Sequence, residues 1–74
     1  MDEERVQEFL AGLADVLEVP SIGPGDDYRQ TPLWGSLTAF ALKVMLQQRF
    51  GCALTLKELD AQPTAGDLMA RVLG

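Results

Sequence analysis

Histidine is absent from this 74-residue chain, and cysteine occurs once, at Cys52. Without histidine the chain lacks the usual general base, the usual activator of a serine or cysteine nucleophile and the commonest zinc ligand. A single cysteine excludes an internal disulfide and a thiolate metal cluster. Cations are scarce, six Lys and Arg against eleven Asp and Glu for a net charge of -5, which argues against nucleic-acid binding. No apolar run is long enough to span a bilayer, and the acidic N-terminus is unlike a signal peptide. The expectation is a small cytoplasmic protein with no resident metal and no membrane insertion. It is not an enzyme, for want of a base, a metal site or a phosphate loop.

What is present is a globular composition, 47% hydrophobic and 23% charged. The length allows one domain, 1–74, near the lower limit for a self-sufficient apolar core. Charge is unevenly spread. Residues 1–18 hold Asp2, Glu3, Glu4, Glu8, Asp15 and Glu18 against Arg5 alone, whereas residues 36–50 hold Lys43 and Arg49 and no acid.

The spacing of Val6, Phe9, Leu10, Leu13, Val16 and Leu17 puts them on one face of a helix over about 2–18. Pro20 disfavours helical geometry at Val19 and ends it. Gly12 weakens its middle and permits a close approach by another helix. Residues 19–35 are punctuated by Pro20, Gly23, Pro24, Gly25, Pro32 and Gly35, yet Ile22, Tyr28, Leu33 and Trp34 are interleaved. That pattern predicts a long ordered loop pinned to the core by those four side chains.

A second helix is predicted over 36–50, stopped by Gly51. Ser36, at its start, has the chemistry of an ordinary N-cap. The helix has two apolar faces. Ala39, Leu42, Leu46 and Phe50 are assigned to the core, and Leu37, Phe40 and Val44, with Ala41, to an outward contact stripe edged by Lys43, Gln47 and Gln48. Thr55 to Glu58 has the form of a capping box opening a short helix over 56–61. Thr64 introduces a last helix over 64–73, with Ala65, Leu68, Met69, Val72 and Leu73 on its buried face. With no strand signal, the fold class is all-α: a small four-helix bundle, the third helix short, with a long ordered loop between the first two. Cys52 reads as a small half-buried apolar residue.

The amphipathic first helix, the pinned loop, Trp34-Gly35-Ser36-Leu37 opening the second helix, Arg49-Phe50-Gly51, and the final helix introduced by Pro63-Thr64 with Asp67-Leu68 follow one another in an order that resembles the acyl carrier protein family, including its polyketide and peptidyl relatives. The likeness covers nearly the whole chain. It implies a discrete, monomeric carrier of the phosphopantetheine-binding type. Ser36 would be the attachment site for a 4′-phosphopantetheine arm, supplied from coenzyme A by a separate Mg-dependent phosphopantetheinyl transferase. Acyl or aminoacyl groups would then ride as thioesters between acyl-loading and acyl-accepting enzymes. The partner-binding surface would comprise Leu37, Phe40, Lys43, Val44 and Gln47, and Trp34 and Gly35 would contact the arm or hold the loop.

Two departures from the family pattern bear on function. The usual Asp-Ser-Leu is Gly35-Ser36-Leu37 here, which removes the carboxylate that helps engage the transferase. The second helix, usually acidic, carries +2. Both favour a pathway of specialised metabolism or lipid modification over housekeeping fatty-acid synthesis. The altered serine context also keeps open a second function, an unmodified protein-interaction module with the carrier fold.

Overall fold

A computed structural model describes residues 2–74. Four α-helices are present among them, α1 Glu3–Leu17, α2 Ser36–Phe50, α3 Leu56–Ala61 and α4 Ala65–Leu73, with one 3-10 turn at Tyr28–Gln30 and no strand. The expected all-α bundle and its long inter-helix loop are present. α1 packs on α2 and α4, and α2 also contacts α3 and α4.

The helix ends lie one residue inside the expected limits at three places, because those residues are caps. Asp2 accepts a hydrogen bond from the Glu4 N–H at 2.9 Å. Thr64 accepts one from the Asp67 N–H at 3.2 Å. Glu18 takes the left-handed conformation (φ 57°), and the Val19 N–H turns back to the Ala14 carbonyl at 3.0 Å, closing α1 before Pro20. α3 carries the expected capping box: the Glu58 N–H donates to Thr55 Oγ1 at 3.1 Å while the Thr55 N–H donates to Glu58 Oε1 at 3.0 Å. Arg71 of α4 adds a 2.6 Å ion pair to Glu58, and these contacts, Thr55 foremost, hold the Glu58 carboxyl below its usual value.

The core is made of Phe9, Leu13 and Leu17 from α1, Leu42 and Leu46 from α2, Leu59 from α3, Leu68 from α4 and Tyr28 from the loop, all fully buried. Burying each of those aliphatic and phenyl side chains contributes about 1.5–3 kcal/mol, so a few residues hold a chain of this length. Phe50 is half-buried rather than fully in the core; its ring meets Phe9 edge-on at 5.8 Å, and the Arg5 guanidinium lies over the same ring, 5.7 Å from its centroid. Val72 and Leu73, expected on the buried face of α4, are likewise only half-buried against the core. Gly12 is buried where α1 meets Met45 and Arg49 of α2, which is the close approach its missing side chain allows.

The loop is pinned as expected, but by a partly different set of groups. Ile22 and Tyr28 are buried and Trp34 is half-buried, whereas Leu33 points to solvent. Backbone carbonyls do the remaining work. Pro24 and Asp26 accept the N–H groups of Gly66 and Ala65 at 2.7 and 2.8 Å, satisfying the free start of α4. From the same loop the Tyr28 hydroxyl donates to the Leu59 carbonyl, and Arg29 donates to the Asp60 carbonyl at 2.7 Å, satisfying the free end of α3. Asp27 holds Arg29 in place through both carboxylate oxygens, at 3.0 and 3.1 Å. That pairing keeps the Asp27 carboxyl below its usual value. Nothing in hydrophobic periodicity announces these bonds, which is why the sequence shows the loop as ordered without showing the 3-10 turn at its centre.

Candidate functional site

Ser36 is the first residue of α2, and it is exposed. It is not the N-cap. That position belongs to Gly35, which sits in fully extended backbone (φ 175°, ψ −175°) and has no side chain with which to cap. The helix takes up its own hydrogen bonding only at the Ala39 N–H, which donates to the Gly35 carbonyl at 2.8 Å. Among the described helices, α1, α3 and α4 each receive a side-chain cap and α2 does not. The start of α2 therefore leaves backbone N–H groups and the positive end of the helix dipole beside the Ser36 hydroxyl, an arrangement that favours an anion.

The approach to this start is tied down by side-chain contacts. Trp34, two residues earlier, meets Tyr28 edge-on at 5.3 Å and donates its indole N–H to Asp60 Oδ1 at 3.4 Å. Thr38 Oγ1 donates to the Leu33 carbonyl at 2.6 Å, tying the first turn of α2 back to the loop. Tyr28 itself lies in apolar surroundings, and desolvation pushes its hydroxyl up to about 12. The loop and α3 thus fix the position from which Ser36 projects.

Two open clefts meet at Ser36. One, of about 290 Å³, is lined by Trp34, Gly35, Ser36, Ala39, Leu56 and Asp60. The other, of about 420 Å³, is lined by Glu18, Leu33, Gly35, Ser36, Leu37 and Thr38. Residues expected on the outward face divide as follows. Leu37, Phe40, Ala41, Gln47 and Gln48 are exposed, while Lys43 and Val44 are half-buried at its margin. Sequence reasoning missed Thr38, Leu56 and Asp60. Thr38 carries only a weak signal as a hydroxyl in the first turn, and the other two reach Ser36 through tertiary packing of α3 alone.

A bundle of four helices with an exposed serine at the uncapped start of its second helix is the arrangement expected of a carrier domain. A family model described as the phosphopantetheine attachment site matches residues 6–72, and the chain belongs to that family, the family of acyl carrier proteins. Members carry covalently attached 4′-phosphopantetheine, and this chain is a phosphopantetheine carrier protein. No curated protein and no solved structure matches it. The residues present fit the group. Its phosphodiester has free N–H groups to meet at the start of α2, and both clefts adjoin the one serine that opens a helix. Among the described residues no group of His, Cys, Asp and Glu could hold a metal ion, and no helix is long and apolar enough to cross a membrane.

Proposed function

We propose that Ser36 is the attachment site and that the protein delivers acyl or aminoacyl groups between enzymes of a specialised biosynthetic pathway. The observation that carries this reading is the placement of an exposed serine at the uncapped start of α2. In the modification, Ser36 Oγ forms a bond to the phosphorus of coenzyme A that bears pantetheine. The bond from that phosphorus to the nucleotide breaks, adenosine 3′,5′-bisphosphate leaves, and the serine proton passes to a base of the transferase. Once attached, the arm supplies a terminal thiol on which cargo is held as a thioester.

The chain's own residues bind and orient rather than transform. Backbone N–H groups at the start of α2 would meet the phosphodiester. Trp34 and Tyr28 keep the loop from shifting beneath it, and Gly35 leaves open space at the cap. Leu37, Phe40, Lys43, Val44 and Gln47 form the surface met by the transferase and by the acyl-loading and acyl-accepting enzymes. The protein acts as a non-catalytic cytoplasmic monomer, and the specialised pathway is read from Gly35 and from an α2 that carries no acid.

Gly35 also supports a second reading, an unmodified interaction module, since it supplies no carboxylate beside the serine. The two are separated in a producing cell. Loss of product with Ser36→Ala supports the carrier. Full product with Ser36→Ala, together with loss of a complex in Phe40→Asp, supports the module.

A further inference from the structure

Four large apolar side chains stand out in solvent, Leu37 (87% exposed), Phe40 (56%), Leu33 (48%) and Leu56 (40%), and all of them border Ser36. Leu33 and Leu37 line one of its clefts and Leu56 the other, while Phe40 lies one helical turn along α2. Below Ser36 the outward face of α2 continues through Leu37, Phe40, Ala41, Val44, Gln47 and Gln48 without a charge. Both charged residues of the helix are cationic, and neither lies in the middle of this face. Lys43 is half-buried at its margin, and the Arg49 guanidinium folds over α1 beside Gly12. The excess negative charge of the molecule is on α1, which with its N-cap Asp2 holds five carboxylates over residues 2–15.

An apolar collar of this kind costs solubility unless something covers it. Any enzyme that brings a phosphorus atom into bonding distance of Ser36 Oγ must cover it, because every member lies within a turn or a cleft of that oxygen. We infer that the phosphopantetheinyl transferase serving this chain docks through an apolar, non-basic surface that receives Leu37 and Phe40. A partner that relied on a basic patch would find no carboxylate along α2 to pair with, only Glu18 and Asp60 at the far walls of the two clefts, and would meet Lys43 at its edge, a like-charge contact. Attraction between apolar surfaces is little screened by salt, whereas attraction between exposed charges falls as the Debye length shrinks. This inference rests on the carrier reading.

The test is the rate of arm installation on the intact chain, followed by intact mass with coenzyme A and a panel of transferases that differ in the charge of the carrier-binding surface. The expected result is fastest modification by a transferase with a neutral, apolar surface. Its kcat/KM changes less than about twofold as salt rises from about 0.01 to about 1 M, a range over which the Debye length falls from about 30 to about 3 Å. Phe40→Ala, an exposed position whose fold is checked by circular dichroism, raises KM about tenfold and leaves kcat unchanged. Lys43→Glu does not improve the reaction.

A steep fall of kcat/KM with salt, or preference for a basic-surfaced transferase with a gain from Lys43→Glu, overturns the docking inference while an adduct at Ser36 keeps the carrier reading. A chain that dimerises through this collar, and becomes monomeric with Phe40→Ala, assigns the collar to a second copy and also overturns it. Absence of an adduct with every transferase removes the carrier reading and the inference together.

Discussion

Two glycines in helices show how a missing side chain can be required in one place and incidental in another. A Cβ on Gly66 would stand 2.9 Å from the Pro24 carbonyl oxygen, a backbone atom that is itself bonded to the Gly66 N–H. Gly66→Ala must push the loop off α4, and it is expected to cost about 1–3 kcal/mol in chemical denaturation. A Cβ on Gly12 would meet only the flexible ends of Arg49 and Met45, at 3.3 and 3.4 Å. Those ends can move, so Gly12→Ala keeps most of the helix-propensity gain and leaves stability unchanged or raised by up to about 1 kcal/mol. At Gly35 a side chain would meet nothing within 4 Å, and the extended backbone suits any residue. Gly35→Asp therefore supplies the absent cap of α2, with a stability gain of a few tenths of a kcal/mol in the same measurement. It also places a carboxylate beside Ser36, where the family's usual Asp stands.

Among the elements, α2 divides its work between two faces, and both were legible from the order of its residues. Ala39, Leu42 and Leu46 are buried as the spacing requires, while Leu37 and Phe40 face solvent. Leu42→Ala is expected to cost about 2–5 kcal/mol, the usual penalty for a cavity in a packed interior. Leu37→Ala should stay within about 0.5 kcal/mol of the parent. Thermal denaturation of the two variants side by side checks the division, and a large loss in Leu37→Ala would contradict it. The helix stops were equally plain, because Pro20 and Gly51 act through local backbone geometry. The loop was harder. Its order could be read from Ile22, Tyr28 and Trp34, but its attachment runs through the carbonyls of Pro24, Asp26, Leu59 and Asp60, and backbone acceptors leave no mark in a sequence. Leu33 was misplaced for a related reason. An apolar residue between Pro32 and Trp34 suits an anchor, yet Trp34 takes the inward position and Leu33 is left beside Ser36.

At the scale of the molecule, the loop, α3 and α4 form one connected support beneath the start of α2. Tyr28 is its buried centre, and its pH behaviour reports on the whole. Burial raises its pKa from 10.0 to about 12, so the native state keeps the phenol proton where the unfolded chain gives it up. Stability from this group is complete below pH 10 and is lost as pH rises from there through about 12. The chain has a single tyrosine, so tyrosinate absorbance gives its titration without overlap from a second phenol. The expected course is delayed ionisation, coincident with loss of helical circular dichroism. Ionisation near pH 10 in a chain that stays folded would show the hydroxyl to be reachable by water. Charge is segregated at the same scale, with most acids on α1 and none on α2, so that near Ser36 the carboxylates come from Glu18 and Asp60 in the clefts and not from the helix that Ser36 opens.

The most direct measurement is intact mass with fragment-ion mapping after incubation with coenzyme A and a transferase. Serine occurs twice, at Ser21 and Ser36, and only Ser36 opens a helix. A single pantetheinyl adduct that maps to Ser36 and disappears in Ser36→Ala is the predicted result. An adduct that persists in Ser36→Ala, or a chain that no transferase modifies, would contradict it.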